Sequence, residues 1–295
     1  MAAALAGALG IAFSGILYRY AEVSPETGAF FRCLYALPAL WLLTWWEKGR
    51  LGRQPVAVRA WAWLAGAFLS VDLLLWHHAI EAVGAGLATV LANMQVVLVG
   101  PIAWIVLRER PAARSLVAIP IAMTGVVLIS GALEEGAYGE NPALGAVLGL
   151  LAGLAYTGFL LTLRHGSRDL RRVAGPLYDA TLATAFVLLP VGLLRGELDL
   201  MPTASAHGWL LLLALTSQVT AWLLITLSLP RLPAVVTSIL LTIQPVGSVL
   251  LAALLLDERP STLQLLGTAA ILAGLVIASA GRRGERTAEP VPETA

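Results

Sequence analysis

The chain has 295 residues, of which 58% are hydrophobic and 13% charged, with a mean hydropathy of +0.82 and a net charge of +1. Soluble chains carry about a quarter charged residues, so this composition excludes a soluble enzyme, a disordered chain and a secreted disulfide scaffold. There is no basic patch for nucleic acid, and Cys33, the single cysteine, permits no intrachain disulfide.

A bilayer core of about 30 Å is crossed by about 20 predominantly apolar residues in a helix. The sequence predicts ten such spans, the first at Ala2–Tyr18. The second, Thr27–Trp46, contains Arg32, and the third, Ala60–Ile80, contains Asp72, His77 and His78. Gly84–Leu107 and Ser115–Leu133 complete the first half. A short polar link follows, and then Ala143–Leu163, Val173–Leu194 with Asp179, His207–Leu229, Pro233–Leu256 and Ser261–Ala280. Each run is continuously apolar, which predicts helices rather than the alternating strands of a barrel. Met1–Tyr18 lacks the basic start of a signal peptide and is taken as a span.

The loops orient these spans. With Met1 cytoplasmic, the inner loops and tail hold 15 of the 19 basic residues, and the outer loops hold Arg19, Arg195 and Arg259. The positive-inside rule then predicts a multi-pass protein of the plasma (inner) membrane with both termini cytoplasmic.

A repeat underlies the pattern. At an offset of 149 residues, Leu91-Ala-Asn-Met-Gln95 meets Leu240-Leu-Thr-Ile-Gln244, and Leu107-Arg-Glu-Arg-Pro111 meets Leu256-Asp-Glu-Arg-Pro260. Between Ala85 and Ser130 there are 13 identities in 46 positions. Upstream, Ala12-Phe-Ser-Gly-Ile-Leu17 matches Ala155-Tyr-Thr-Gly-Phe-Leu160. The expected fold is therefore all-α, with ten transmembrane helices in two five-helix repeats, 1–133 and 143–281. An extracytoplasmic linker, 134–142, joins them, and a disordered cytoplasmic tail, 282–295, follows. Five is odd, so the second copy is inverted, a device of transporters in which two related halves gate one midplane site.

Ten spans, two inverted copies and a Glu-Arg-Pro after the fourth helix of each resemble the EamA-type exporters of the drug/metabolite transporter superfamily. Pro25-Glu-Thr-Gly-Ala-Phe-Phe-Arg32 also resembles that family's entry to its second helix. The resemblance covers residues 1–281 and implies efflux from a central cavity between the halves, with the fifth and tenth spans peripheral. It does not specify the substrate, since members export amino acids, metabolites, drugs or cations.

Ionisable groups inside spans cost about 2.5–3.5 kcal/mol on insertion scales, so each requires a reason. Helical spacing places Trp61, Phe68, Asp72 and Trp76 on one face. A carboxylate beside aromatic rings suits an organic cation or amine, and it equally suits a proton carrier or a hydrogen bond to a neighbouring helix. Gln95 and Gln244 form the symmetric pair, with Asn93 nearby and Pro101 and Pro245 as candidate hinges. Gln218 and Trp222 repeat the polar-plus-aromatic character, and Trp104 and Tyr156 complete the predicted cavity. Asp72, His77 and Asp179 are the candidates for proton coupling. Arg32 and Asp179 are each expected to snorkel to their own interface. Glu109 and Glu258 are expected to tie helix ends, and Trp41, Trp45, Trp46, Trp61, Trp63 and Trp209 to form interfacial belts.

The expected function is a secondary exporter of small organic solutes, using no cofactor and no metal, with the bilayer and a small-molecule substrate as its partners. It would act as a monomer or homodimer. A channel of the same fold is the alternative, followed by an intramembrane enzyme using Asp72, His77 and His78; adjacent histidines point about 100° apart and chelate poorly.

Overall fold

The computed structural model describes residues 2–108, 113–166, 171–228 and 234–280, and the described residues form helices joined by short connections with no strand among them. α1 (Ala2–Ala12) and α2 (Ser14–Ala21) make one rod interrupted at Phe13. α3 (Pro25–Leu51) and α4 (Val56–Val83) follow, and then α5 (Ala85–Ala92) and α6 (Gln95–Leu107), interrupted at Asn93 and Met94. α7 (Ala113–Ile129), α8 (Pro142–Gly166) and α9 (Ala174–Arg195) are continuous. α10 (Ala204–Leu213) runs through a π-helical segment, Ala214–Ala221, into α11 (Trp222–Ser228), and α12 (Ala234–Leu255) and α13 (Thr262–Ala280) complete the described fold. Among the described residues, seven helical stretches are long and apolar enough to cross a membrane, and α5, α7 and α12 contribute shorter apolar runs. The tail 282–295 and Glu109 lie outside the described residues.

The pairings between helices come in matched sets. α4 lies on α8, and in the matching pairing α10, the π segment and α11, which correspond to α4 in the sequence repeat, lie on α1 and α2, which correspond to α8. α3 packs on α9, α5 on α12 and α7 on α13. Inside a bilayer, burying apolar surface gives helices little drive to associate, so close van der Waals approach has to supply it. The α7–α13 crossing meets this need with glycine. A Cβ on Gly125 would sit 2.5 Å from the Gly267 carbonyl oxygen, and one on Gly267 would sit 2.6 Å from that of Gly125. Gly66 of α4 likewise lies against the Ala180 carbonyl of α9, where Thr184 Oγ1 donates to Gly66 O at 3.0 Å.

Helix ends leave unpaired N–H groups, and side chains satisfy several of them here. Ser24 caps α3, with Pro25 at the first helical position. Gly84 has φ +88, a conformation suited to a residue without a Cβ, and it cannot cap α5 itself. Glu258 does so from the α12–α13 loop, accepting from Ala85 N at 2.6 Å and Gly86 N at 3.1 Å. Burial raises the pKa of this loop carboxyl above its ordinary value, and the two N–H groups oppose the rise. The linker is packed rather than loose. Gln264 of α13 donates to Ile129 O and Tyr138 O and accepts from Tyr138 N, and Asn141 N donates to Ala82 O.

Candidate functional site: a charged cavity at the helix breaks

A cavity lies among α1, α2, α3, α4, α5, α8, α11 and α12, with about 540 Å³ of empty space including its opening. It sits where the surrounding rods depart from regular helix. Ile11 and Ser14 flank the break at Phe13, Asn93 forms the break between α5 and α6, Trp222 begins α11 directly after the π segment, and Gln244 precedes Pro245 inside α12. Irregular backbone at membrane depth is tolerated where it is enclosed by protein or lines a cavity. At the Asn93 break, Asn93 Nδ2 donates to Thr89 O at 2.8 Å, where its own backbone N–H also donates. This local competition for a carbonyl is a general reason why Asn interrupts helices.

The cavity holds both signs of charge. Asp72 and Arg32 line it, and both are buried. Arg32 Nε donates to Gln218 Oε1 at 3.1 Å, and Gln218 Nε2 donates to Thr181 Oγ1 at 3.2 Å. The guanidinium carbon lies 5.7 Å from the Trp76 ring centroid, within cation–π range. Arg32 thus has one edge tied to a buried amide and one face on an indole. Among the described residues, no protein hydrogen bond reaches the Asp72 carboxylate, and no ion pair joins it to Arg32. Asn93 Oδ1 is buried with no donor. Tyr156, in T-shaped contact with Trp222 at 5.9 Å, and Trp76 add aromatic surface.

The predicted site residues divide accordingly. Asp72, Trp76, Asn93, Tyr156, Trp222 and Gln244 line the cavity together. Gln218 stands behind it as the brace of Arg32. Gln95 is buried but does not line it, its backbone N–H lying beside Gly153 of α8. Trp104 is 46% exposed and lies off the cavity, which corrects its placement there. The break at Asn93 and Met94 has no counterpart in continuous α12, so Gln95 and its partner in the sequence repeat, Gln244, do not occupy equivalent places. Trp61 and Phe68 also lie off the cavity, Phe68 resting against Gly158 of α8.

Three further placements differ from a reading of depth alone. Arg32 does not snorkel; at 5% exposure it is a cavity residue, because Gln218 from the π segment supplies a partner at that depth. Asp179 pairs with Arg59 Nε at 3.3 Å and accepts from Gln54 Nε2 at 3.2 Å, away from the cavity. His77 lies behind Trp76, their ring centroids 4.9 Å apart, with Nδ1 2.6 Å from Leu73 O and with no partner for Nε2 among the described residues. Ser14, Thr89, Leu69 and Leu73 also line the cavity and were not singled out in the sequence; of these only Leu69, three residues before Asp72, shares its helical face by spacing.

α3 and α9 are clasped at both of their meeting ends. At the start of α3, Glu26 Oε1 meets Arg195 Nε at 3.0 Å and His78 Nε2 at 3.2 Å. At the far end of α3, the Glu47 carboxylate accepts from the backbone N–H groups of Val173, Ala174 and Gly175 at the start of α9. Arg32, on the cavity wall, lies between Glu26 and Glu47 along α3.

Comparisons with known proteins agree with this architecture. The family model for the EamA-like transporter family matches residues 1–131 and again residues 143–280. The uncharacterized transporter YwfM of Bacillus subtilis (strain 168) is 26% identical over 277 residues, covering 91% of this chain and 88% of its own. A crystal structure of a protein 17% identical to this one covers 95% of this chain and 97% of its own with a TM-score of 0.65, a likeness of fold. With apolar helices of spanning length and a family match over nearly its whole length, this chain belongs to the EamA-like transporter family and is a multi-pass membrane transporter.

Proposed function

We propose that the protein is a secondary transporter that exports small organic solutes, such as amino acids, metabolites or organic cations, by alternating access to the central cavity. The observation that carries this reading is the cavity itself. Two opposite charges sit inside apolar spans, at the point where the surrounding helices break. Ten spans in two inverted repeats, 1–133 and 143–281, with both termini cytoplasmic in the plasma membrane, fit the matched helix pairings and the one-sided distribution of basic residues.

The two clasps between α3 and α9 then act as opposing gates. Opening toward one side releases Glu26 from Arg195 and His78, and opening toward the other releases Glu47 from the start of α9. Of the three candidates for proton coupling, Asp72 alone borders the cavity, and it is the residue assigned that role. Purified protein reconstituted into vesicles, with an imposed proton gradient and a panel of amino acids and organic cations, tests the reading. Saturable, proton-linked flux abolished by Asp72→Asn is the expected result. Flux that survives the substitution unchanged would demote Asp72 to a structural residue.

A further inference from the structure

Buried charges are stable when they are paired, and this cavity contains two, Arg32 and Asp72, that attract each other across it but make no ion-pair contact among the described residues. Gln218, anchored on Thr181, occupies Arg32 Nε, and among the described residues nothing takes the two terminal nitrogens of that guanidinium. Among the described residues no hydrogen bond reaches the Asp72 carboxylate, which faces the cavity, and Asn93 Oδ1 is a buried acceptor without a partner on the same wall. The cavity therefore offers a forked cationic donor and, apart from it, a cluster of acceptors. A cation alone would satisfy the acceptors and leave the guanidinium fork unpaired. An anion alone would do the reverse. We infer that the site takes a zwitterionic solute, whose anionic group docks on the terminal nitrogens of Arg32 and whose protonated amine docks on Asp72 and Asn93 Oδ1. Trp76, Tyr156 and Trp222 enclose its apolar part.

This inference rests on the reading of the cavity as the transport site and narrows it to one charge pattern. Gln218 is a positioning residue here: by holding Nε it aims the guanidinium fork into the cavity. Polar groups built to meet a ligand group discriminate strongly against analogues that lack it, because they are then left unpaired. Leucine should accordingly bind in preference to 3-methylbutylamine and 4-methylpentanoate, which keep the side chain and drop one charge each.

The test is equilibrium binding to the full-length protein in lipid nanodiscs, read by tryptophan fluorescence and by ligand-induced thermal shift with those three probes. Losing one charge contact of this kind weakens binding about 30-fold or more. Arg32→Gln should erase the preference for leucine and make the amine the best of the three probes. Asp72→Asn should make the carboxylate the best. Such a switch in preference cannot come from misfolding. Wild-type protein that binds the amine or the acid as tightly as leucine, or binds none of the three, would overturn the zwitterion assignment. The reading of the cavity as the transport site fails separately, if flux of any solute in vesicles is untouched by Asp72→Asn and by Trp76→Ala.

Discussion

The α7–α13 pair and the cavity wall are built from the same apolar alphabet, yet they are organised in opposite ways. α7 and α13 are unbroken helices whose backbones approach through Gly125 and Gly267, and they contribute nothing to the cavity. The rods around the cavity are broken at Phe13 and at Asn93–Met94 or loosened to a π segment at Ala214–Ala221, and unpaired polar atoms remain there. The first region maximises contact, and the second gives up contact to present chemistry. Stability and function should therefore respond to different substitutions.

The comparison breaks most visibly if the seam is overfilled. Gly125→Leu forces a branched side chain against a backbone carbonyl and should cost about 3 kcal/mol, the upper end of ordinary overpacking. A thermal scan in detergent would show it as a large fall in Tm, and an unchanged Tm would mean that the seam is not close-packed. Asp72→Asn should behave in the opposite way. Removing a buried carboxylate that makes no ion-pair contact leaves Tm unchanged or higher, while proton-linked flux is abolished. Gln218→Leu strips Arg32 Nε of its acceptor and should cost about 2 kcal/mol in stability and also weaken transport. Glu258→Gln is a smaller change, about 1 kcal/mol, through the cap on α5. It carries a pH signature as well. Because the folded-state pKa of Glu258 is raised, the folded protein holds this proton more tightly than the unfolded chain does. The contribution of this group to stability therefore falls as pH rises from the ordinary carboxylate range through the raised value, and E258Q removes that slope. Trp104→Ala, on the exposed side of α6, should change flux by less than about twofold, in keeping with a surface substitution.

Much of the architecture was legible in the sequence because it rests on length and hydropathy. The ends of α4, α8, α9 and α13 fall within a few residues of the expected spans, and the glutamate of the second Glu-Arg-Pro caps a helix as its place in a loop suggested. Asp72 and Trp76 were legible as cavity neighbours because α4 is regular between them. What escaped was anything beyond a break. Pro101 drew attention as the hinge of the fourth span, yet it lies inside continuous α6, and the interruption falls at Asn93 and Met94. The repeat symmetry that paired Gln95 with Gln244 therefore does not carry Gln95 into the cavity. Arg32 escaped for a different reason. Its partner Gln218 lies 186 residues away in the chain, and a reading of depth along one span cannot contain a partner supplied by another.

The central claim is that the cavity between the repeats opens to each side of the membrane in turn, while the α7–α13 seam stays shut. Cys33, the single native cysteine, is buried, and Cys33→Ala gives a background without thiols. On that background, Leu73→Cys places a thiol on the cavity wall, and Ala122→Cys places one in the seam. Labelling with a membrane-impermeant maleimide, in right-side-out and then inside-out vesicles, is the direct measurement. The account predicts that Leu73→Cys reacts from both faces and Ala122→Cys from neither. A Leu73→Cys thiol that reacts from one face alone, or from neither, would contradict it.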